Sequence, residues 1–218
     1  TGLAIDRVGG SVAAFTNLYL PKLHRHGYVA PNMGDGMKGL VSPGGYVMDS
    51  IPGLYKNVLV LDFKSLYPSI IRTFNVDPIG MVEGLKSPED AIAGFDGAYF
   101  SRDQHFLPEI ITQLWQARDK AKEENNAPLS QAIKIIMNSF YGILGSTGCR
   151  FYDPRLSGSI TKRSHEILKQ TKVWIESLNY KVIYGDTDSI FVSVGDSLTQ
   201  AQSLELGQEL QQFINERW

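Results

Sequence analysis

Residues 181–194 read KVIYGDTDSIFVSV. Apolar, mostly β-branched residues stand on both sides of Tyr184–Ser189: Val182 and Ile183 before it, and Ile190, Phe191, Val192 and Val194 after it. This pattern predicts two short strands joined by a tight turn. The turn segment carries two carboxylates, Asp186 and Asp188, at i and i+2. Asp and Gly are ordinary turn residues, so the hairpin alone reads equally as a solvated tip. Its chemical weight depends on what the rest of the chain brings beside it.

Upstream, Val58-Leu59-Val60-Leu61 is a continuous apolar run that ends in Asp62. Such runs predict a buried strand, and a carboxylate at the end of a buried strand needs a partner, because an unpaired buried charge is costly. The chain from Ser65 to Thr73 is expected to turn into a helix, with Pro68 tolerated near its start. A strand end leading into a helix start presents backbone N–H groups suited to an anion such as a triphosphate.

Between these two stretches lies a predicted helical hairpin. Pro108 and Glu109 suit a first helical turn, and PEIITQLWQARDKAKEEN follows, with Arg118 and Lys122 one turn apart. Asn125-Asn126-Ala127-Pro128 is read as the break before a second helix, LSQAIKIIMNSFYGILG. In that helix Lys134, Asn138 and Tyr141 fall within roughly 60° of one another, beside an apolar stripe of Ile133, Met137, Phe140 and Leu144. Helices are also expected over residues 1–30 (Val12, Phe15, Leu18, Tyr19 and Leu23 on one side, stopped at Gly27), over 158–178 and over 199–218. Residues 31–57 are Gly- and Pro-rich. There the Gly44-Gly45-Tyr46-Val47 step predicts a turn into a short strand, and a Gly pair allows close backbone approach. Residues 77–104 are expected to form a loop-rich excursion without chemistry.

Composition sets the outer bounds. The chain has 218 residues, 43% hydrophobic and 20% charged, a globular balance large enough for one sizeable domain with an insertion. No stretch is long and apolar enough to span a bilayer, and no secretory signal opens it. The single Cys149 forms no internal disulfide and fits a reducing compartment. His24, His26, His105 and His165 lack zinc spacing. Net charge is −2, but Ala127 to Val173 holds seven basic against two acidic side chains, a local +5 that leaves −7 for the remainder. A basic segment beside acidic turns suits a phosphate-facing surface next to a metal site as well as a solvated helix face.

Asp62, Asp186 and Asp188, if brought together, repel by roughly 4 kcal/mol per pair at 4 Å and an effective dielectric near 20. A divalent cation removes that repulsion, and an all-oxygen set with few protein donors suits Mg²⁺. No nucleophile–His–Asp arrangement supports covalent catalysis.

DFKSLYPSII, KIIMNSFYG and YGDTDS resemble motifs A, B and C of family B DNA polymerases, in the family's order, and SPGGYVMD and GCRFYDPRL extend the likeness over nearly the whole chain. The resemblance implies an α+β fold: a polymerase palm, a mixed antiparallel sheet with packed helices, carrying a two-helix antiparallel fingers insertion. The implied division is 1–57 for an N-terminal helix and connection, 58–104 for the first part of the palm, 105–146 for the fingers, and 147–218 for the second part, ending before a thumb. The implied activity is DNA-templated DNA synthesis by two-metal-ion nucleotidyl transfer from a dNTP to a primer 3′-hydroxyl. Asp62 and Asp188 would bind two Mg²⁺ ions (with Mn²⁺ as a substitute) together with the Phe63 carbonyl, and Asp186 would stand nearby.

By the same resemblance, Ser65 and Leu66 amides would meet the triphosphate, and Tyr67 would lie below the sugar and reject a 2′-hydroxyl. Arg118, Lys122 and Lys134 would hold phosphates. Asn138 and Tyr141 would border the nascent base pair, with Gly142 allowing close packing, while Gly44 and Gly45 would contact template. Expected partners are primer–template DNA, dNTPs and a sliding clamp reached through other regions, with no membrane and a cytoplasmic location. Nothing matches the family's exonuclease domain or thumb. The alternative is therefore a non-catalytic nucleic-acid-binding fragment, inactive alone. A nuclease has no need of the Lys134–Tyr141 face, and the DxxSLYPS turn is wrong for a reverse transcriptase.

Overall fold

The computed structural model describes residues 2–7, 10–35 and 43–218. In chain order the main elements are α1 (Ser11–Arg25), β1 (Val58–Asp62), α2 (Leu66–Thr73), α3 (Pro78–Gly84), β2 (Ile92–Ala93), β3 (Tyr99–Phe100), α4 (Leu107–Glu123), α5 (Ala127–Leu144), α6 (Pro154–Ser177), β4 (Lys181–Asp186), β5 (Ser189–Ser193) and α7 (Gln200–Asn215). They gather into two compact units. A mainly helical unit comprises Thr1–Pro43 and Tyr67–Lys162, and a sheet unit comprises Gly44–Leu66 and Arg163–Trp218. The mixture of antiparallel sheet and packed helices agrees with the expected fold class.

The sheet unit is built on β4 and β5, which form the expected hairpin. Only Thr187 and Asp188 make the turn, and Asp186 is the last residue of β4, paired with Ser189. β1 adds on the other side of β5, giving the antiparallel order β1-β5-β4 with Asp62 opposite Ser189 and Val60 opposite Phe191. One face packs on a core of Leu168 and Ile175 from α6, Ile190 and Val192 from β5, and Ile214 from α7.

The run at 58–61 is not buried as its composition predicts. β1 is an outer strand covered on one face only, so Leu59 and Leu61 turn to the core while Val58, Val60 and Asp62 are exposed, Val60 at 56%. Four consecutive apolar residues hide that alternation, and helices on a single face produce it. Beyond β4, Tyr46–Ile51 runs as an irregular further strand. The N–H of Thr187 donates to the Tyr46 carbonyl at 2.9 Å, Met48 N–H to Gly185 O at 2.8 Å, and Ile51 N–H to Ile183 O at 2.9 Å. Gly185 lets Met48 pack close, because a Cβ would stand 2.7 Å from the Met48 sulfur and force that side chain to shift.

α7 opens on a capping box made by Thr199 and Gln202, which satisfies orphan N–H groups of its first turn. It ends at Asn215 rather than continuing to 218. Its inward residues are Leu206, Leu210, Phe213 and Ile214, while Ala201 and Leu204 are exposed. α6 starts four residues before the predicted position, at Pro154, and Leu178 lies beyond it and is exposed.

In the helical unit α4 and α5 form the predicted hairpin. Asn126 caps α5, accepting from Leu129 N–H at 3.2 Å, and Pro128 lies in the first turn. The proline therefore opens the second helix rather than breaking the chain before it, as a missing N–H costs nothing there. The apolar stripe of α5 is buried as expected: Ile133, Met137, Phe140 and Leu144.

The 77–104 stretch is not a loop excursion. Asp77 caps α3, Pro78 occupies its first turn, and β2 pairs with β3. The Asp77 carboxylate, fully buried, accepts Tyr19 Oη at 2.9 and 3.0 Å, Gly80 N–H at 2.6 Å, Phe106 N–H at 3.1 Å and Leu107 N–H at 2.7 Å. Tyr19 Oη in turn accepts Ile79 N–H at 3.1 Å. One side chain thus ties α1 to the starts of α3 and α4. Burial pushes the Asp77 carboxyl up, against the pull of its N–H partners, and pushes the Tyr19 phenol well up. The rings of Phe15, Tyr19, Phe106, Phe140 and Phe151 pack around this point at 4.9–6.0 Å.

Candidate active site

Backbone pairing brings Asp62, Asp186 and Asp188 to one end of the sheet. Asp62 and Asp186 both pair with Ser189, from its two sides. Directly opposed residues of adjacent antiparallel strands share a face, so Asp62, Ser189 and Asp186 lie in one row on the open face. Val47, bridged to Asp186, extends the row. Asp188 comes in from the turn: Phe63 N–H donates to the Asp188 carbonyl at 2.8 Å, which places Asp188 against the residue after Asp62. Asp62 is exposed and Asp188 half-buried, so solvent and ligand both reach this end.

The carboxylates differ in their surroundings. Asp186 is held by its own hairpin, where Thr187 Oγ1 donates to Oδ1 at 2.8 Å, the Tyr184 hydroxyl lies 3.4 Å from Oδ2, and Ser189 Oγ donates to the Asp186 carbonyl at 3.2 Å. Its oxygens are occupied within the sheet. Among the described residues no three His, Cys, Asp or Glu side chains close on a common point. Two carboxylates and a neighbouring backbone carbonyl, all hard oxygen donors, fit a Mg²⁺ ion that takes its remaining ligands from water and substrate phosphate. They do not form a cage that holds an ion alone.

The backbone around the carboxylates is strained. Among the described residues six non-glycine residues have positive φ; four are Asn or Asp, which tolerate it, and the other two are Ser65 (φ 50°) and Thr187 (φ 52°). One lies at the corner between Asp62 and α2, the other between Asp186 and Asp188. Left-handed conformation in such residues clusters at functional sites, and no sequence signal announced it.

Gly45 gains an internal reason beyond template approach. A Cβ there would lie 2.6 Å from Thr187 Oγ1, the hydroxyl that donates to Asp186, whereas at Gly44 it would meet nothing within 4 Å. Gly45→Ala is expected to displace that hydroxyl and destabilise the fold by about 1.5–3 kcal/mol, the scale of one lost hydrogen bond to a charged group. Urea denaturation of Gly45→Ala beside wild type checks this, and equal stabilities refute it.

In the helical unit the structure brings Tyr67 of α2 and Tyr141 of α5 together, their ring centroids 4.6 Å apart at 54°. Lys134, Asn138 and Gly142 are exposed along α5, and Tyr141 is half-buried. On α4, Arg118 is half-buried and Lys122 exposed, 3.8 Å from Asp119. Cys149 is buried and its thiol pushed up by burial, so it serves the core and not chemistry.

The family model for DNA polymerase family B matches residues 8–218. The chain belongs to DNA polymerase family B. It is 58% identical to DNA polymerase II of Escherichia coli (strain K12) over 219 residues, covering all of this chain and 28% of that protein. It is 34% identical over 193 residues to the DNA polymerase of Thermococcus gorgonarius, covering 80% of this chain and 25% of that protein. The family B DNA polymerase of the hyperthermophilic archaeon Pyrobaculum calidifontis superposes with a TM-score of 0.70 at 29% identity, covering 99% of this chain and 29% of that one. This family B chain therefore spans under a third of the length of these relatives. No helix among its described residues is long and apolar enough to cross a membrane.

Proposed function

We propose that this chain is the palm and fingers core of a DNA-templated DNA polymerase, with the sheet unit as palm and the α4–α5 hairpin as fingers. The reading rests on one observation: Asp62 and Asp188 stand beside each other at the open end of the sheet, one on a strand end and one in a tight turn. In this reading the primer 3′-oxygen attacks the α-phosphorus of a dNTP, the α–β bridging bond breaks, and pyrophosphate leaves. Magnesium, when bound, supplies positive charge at the attacking and leaving oxygens. Asp62, Asp188 and the Phe63 carbonyl hold it. Asp186 holds the turn.

The chain's remaining residues orient and neutralise. Ser65 and Leu66 present N–H groups to the triphosphate, and Arg118, Lys122 and Lys134 offset its charge. The Tyr67–Tyr141 contact supports a shared role: Tyr67 lies under the sugar, where a 2′-hydroxyl would clash, and Tyr141 lies with Asn138 beside the nascent base pair. Gly142 leaves room there, and Gly44 and Gly45 face template.

The test is primer extension by the full polypeptide that carries this chain, with and without Mg²⁺ or Mn²⁺, beside Lys134→Ala. Extension should require metal, and Lys134→Ala should raise the apparent Kd for dNTP at least tenfold, as expected for one desolvated charge pair. Metal-independent DNA binding with no extension would favour a non-catalytic nucleic-acid-binding role instead.

A further inference from the structure

The segment Gly44–Met48 is gripped from two sides within the sheet unit. Its carbonyl at Tyr46 accepts the Thr187 N–H of the carboxylate turn. On its other side stands α6. His165 Nε2 lies 3.0 Å from the Gly44 carbonyl oxygen. A carbonyl only accepts, so Nε2 carries the proton and donates. The His165 ring also lies 5.3 Å from the Tyr46 ring, tilted by 42°. One helical turn on, Lys169 Nζ sits 4.9 Å from the Tyr46 centroid, within cation–π range. His165 and Lys169 are thus i and i+4 on one helix face, and both engage the same three-residue step.

We infer that His165, seconded by Lys169, is a positioning residue for polymerisation. Its hydrogen bond fixes the Gly44 carbonyl, and with it the Gly44–Gly45 backbone that the proposed function turns towards template. It touches neither metal-binding carboxylates nor dNTP-binding residues. It acts on the template strand through Gly44, and reaches the Asp186–Asp188 turn only through Tyr46 and Thr187. This rests on the reading of Gly44 and Gly45 as template-facing. The His165 and Lys169 contacts fall on Gly44 and Tyr46 themselves, whereas α5 meets the preceding residue, with Tyr141 Oη 3.4 Å from the Pro43 carbonyl oxygen, so the effect is expected on DNA binding before nucleotide binding.

The test uses the full polypeptide carrying this chain, with primer–template DNA as the probe. His165→Ala should raise the KM for primer–template and the Kd by fluorescence anisotropy about tenfold, with the KM for dNTP unchanged within twofold. His165→Gln, which offers an amide N–H near the place of Nε2, should recover most of the affinity. His165→Phe, which keeps the ring against Tyr46 but has no donor, should not. Gly44→Ala separates this inference from the reading beneath it, because a methyl group there meets nothing in the chain itself. If Gly44→Ala weakens DNA binding while His165→Ala does not, the positioning role fails and the template reading stands. If Gly44→Ala leaves DNA binding intact, both fail. Affinity retained in His165→Phe but lost in the Ala and Gln variants would assign His165 to packing alone, and equal loss in all three would give the Nε2 donor no role; either result overturns the inference.

Discussion

Asp188→Ala in the full polypeptide is expected to lower the single-turnover rate of nucleotide incorporation by at least a thousandfold, and Asp62→Ala by a similar factor. Primer–template affinity should change by no more than a few fold. Both side chains lie at the open end of the sheet, joined through the Phe63–Asp188 backbone hydrogen bond at 2.8 Å. Removing either leaves one carboxylate and a carbonyl. That donor set is too weak to hold a hard divalent ion in a fixed place, and positioned charge at the reacting oxygens supplies several kcal/mol of the barrier reduction. Asp186→Asn should behave differently. The amide oxygen still accepts from the Thr187 hydroxyl, and the amide NH2 donates to the Tyr184 hydroxyl, which rotates to accept it, so the loss should be one to two orders of magnitude smaller. Rapid-quench incorporation assays on the three variants decide this. Near-normal rates for Asp62→Ala or Asp188→Ala would overturn the proposed chemistry. Equal losses for all three would make Asp186 a direct ligand.

The second large effect concerns stability and lies away from the chemistry. Asp77→Ala is expected to destabilise the fold by about 4 kcal/mol, since it strands three backbone N–H groups and the Tyr19 hydroxyl in a buried site. For a chain of this size that corresponds to a fall in Tm of about 8–16 °C. Tyr19→Phe should cost less, about 1–2 kcal/mol, because it removes one donor and one acceptor and leaves the carboxylate its N–H partners. The double variant should cost less than the sum of the two, as both changes remove the same contact. Thermal and urea denaturation measure all three. Additive effects would mean that the Tyr19–Asp77 bond carries no coupling. A change under about 1 kcal/mol for Asp77→Ala would mean that its N–H donors find other partners.

Much of this was legible in the chain. KVIYGDTDSIFVSV specifies its hairpin because β-branched residues alternate around a two-residue turn, and alternation has only one reading when one face is buried. The α4–α5 hairpin was legible because Pro108 suits a first turn, Asn125-Asn126-Ala127-Pro128 marks the change of helix, and the α5 apolar stripe recurs at helical spacing. Other features were hidden. Val58–Leu61 carries no polar residue to mark its open face, so its burial depended on where the helices settled. Asp77-Pro78 had the form of a helix start in plain view, but the glycines around it obscured α3, and nothing local announced that Tyr19, 58 residues away, would meet it.

By itself the sequence determined the type of most elements outside 77–104, the order of the carboxylates along the chain and, through its motifs, the family, because periodicity, turn chemistry and motif residues are local properties. The tertiary structure decided the register. Asp62, Ser189 and Asp186 fall in one row only because β1 pairs with β5 at that alignment, and a slip of one residue would turn Asp62 to the covered face. It also decided that Asp186 would be held by its neighbours, that Thr187 would take a left-handed conformation beside Gly45, and that His165 would reach the Gly44 carbonyl across 121 residues of chain. Each of these follows from distances between segments remote in sequence, which no local pattern encodes.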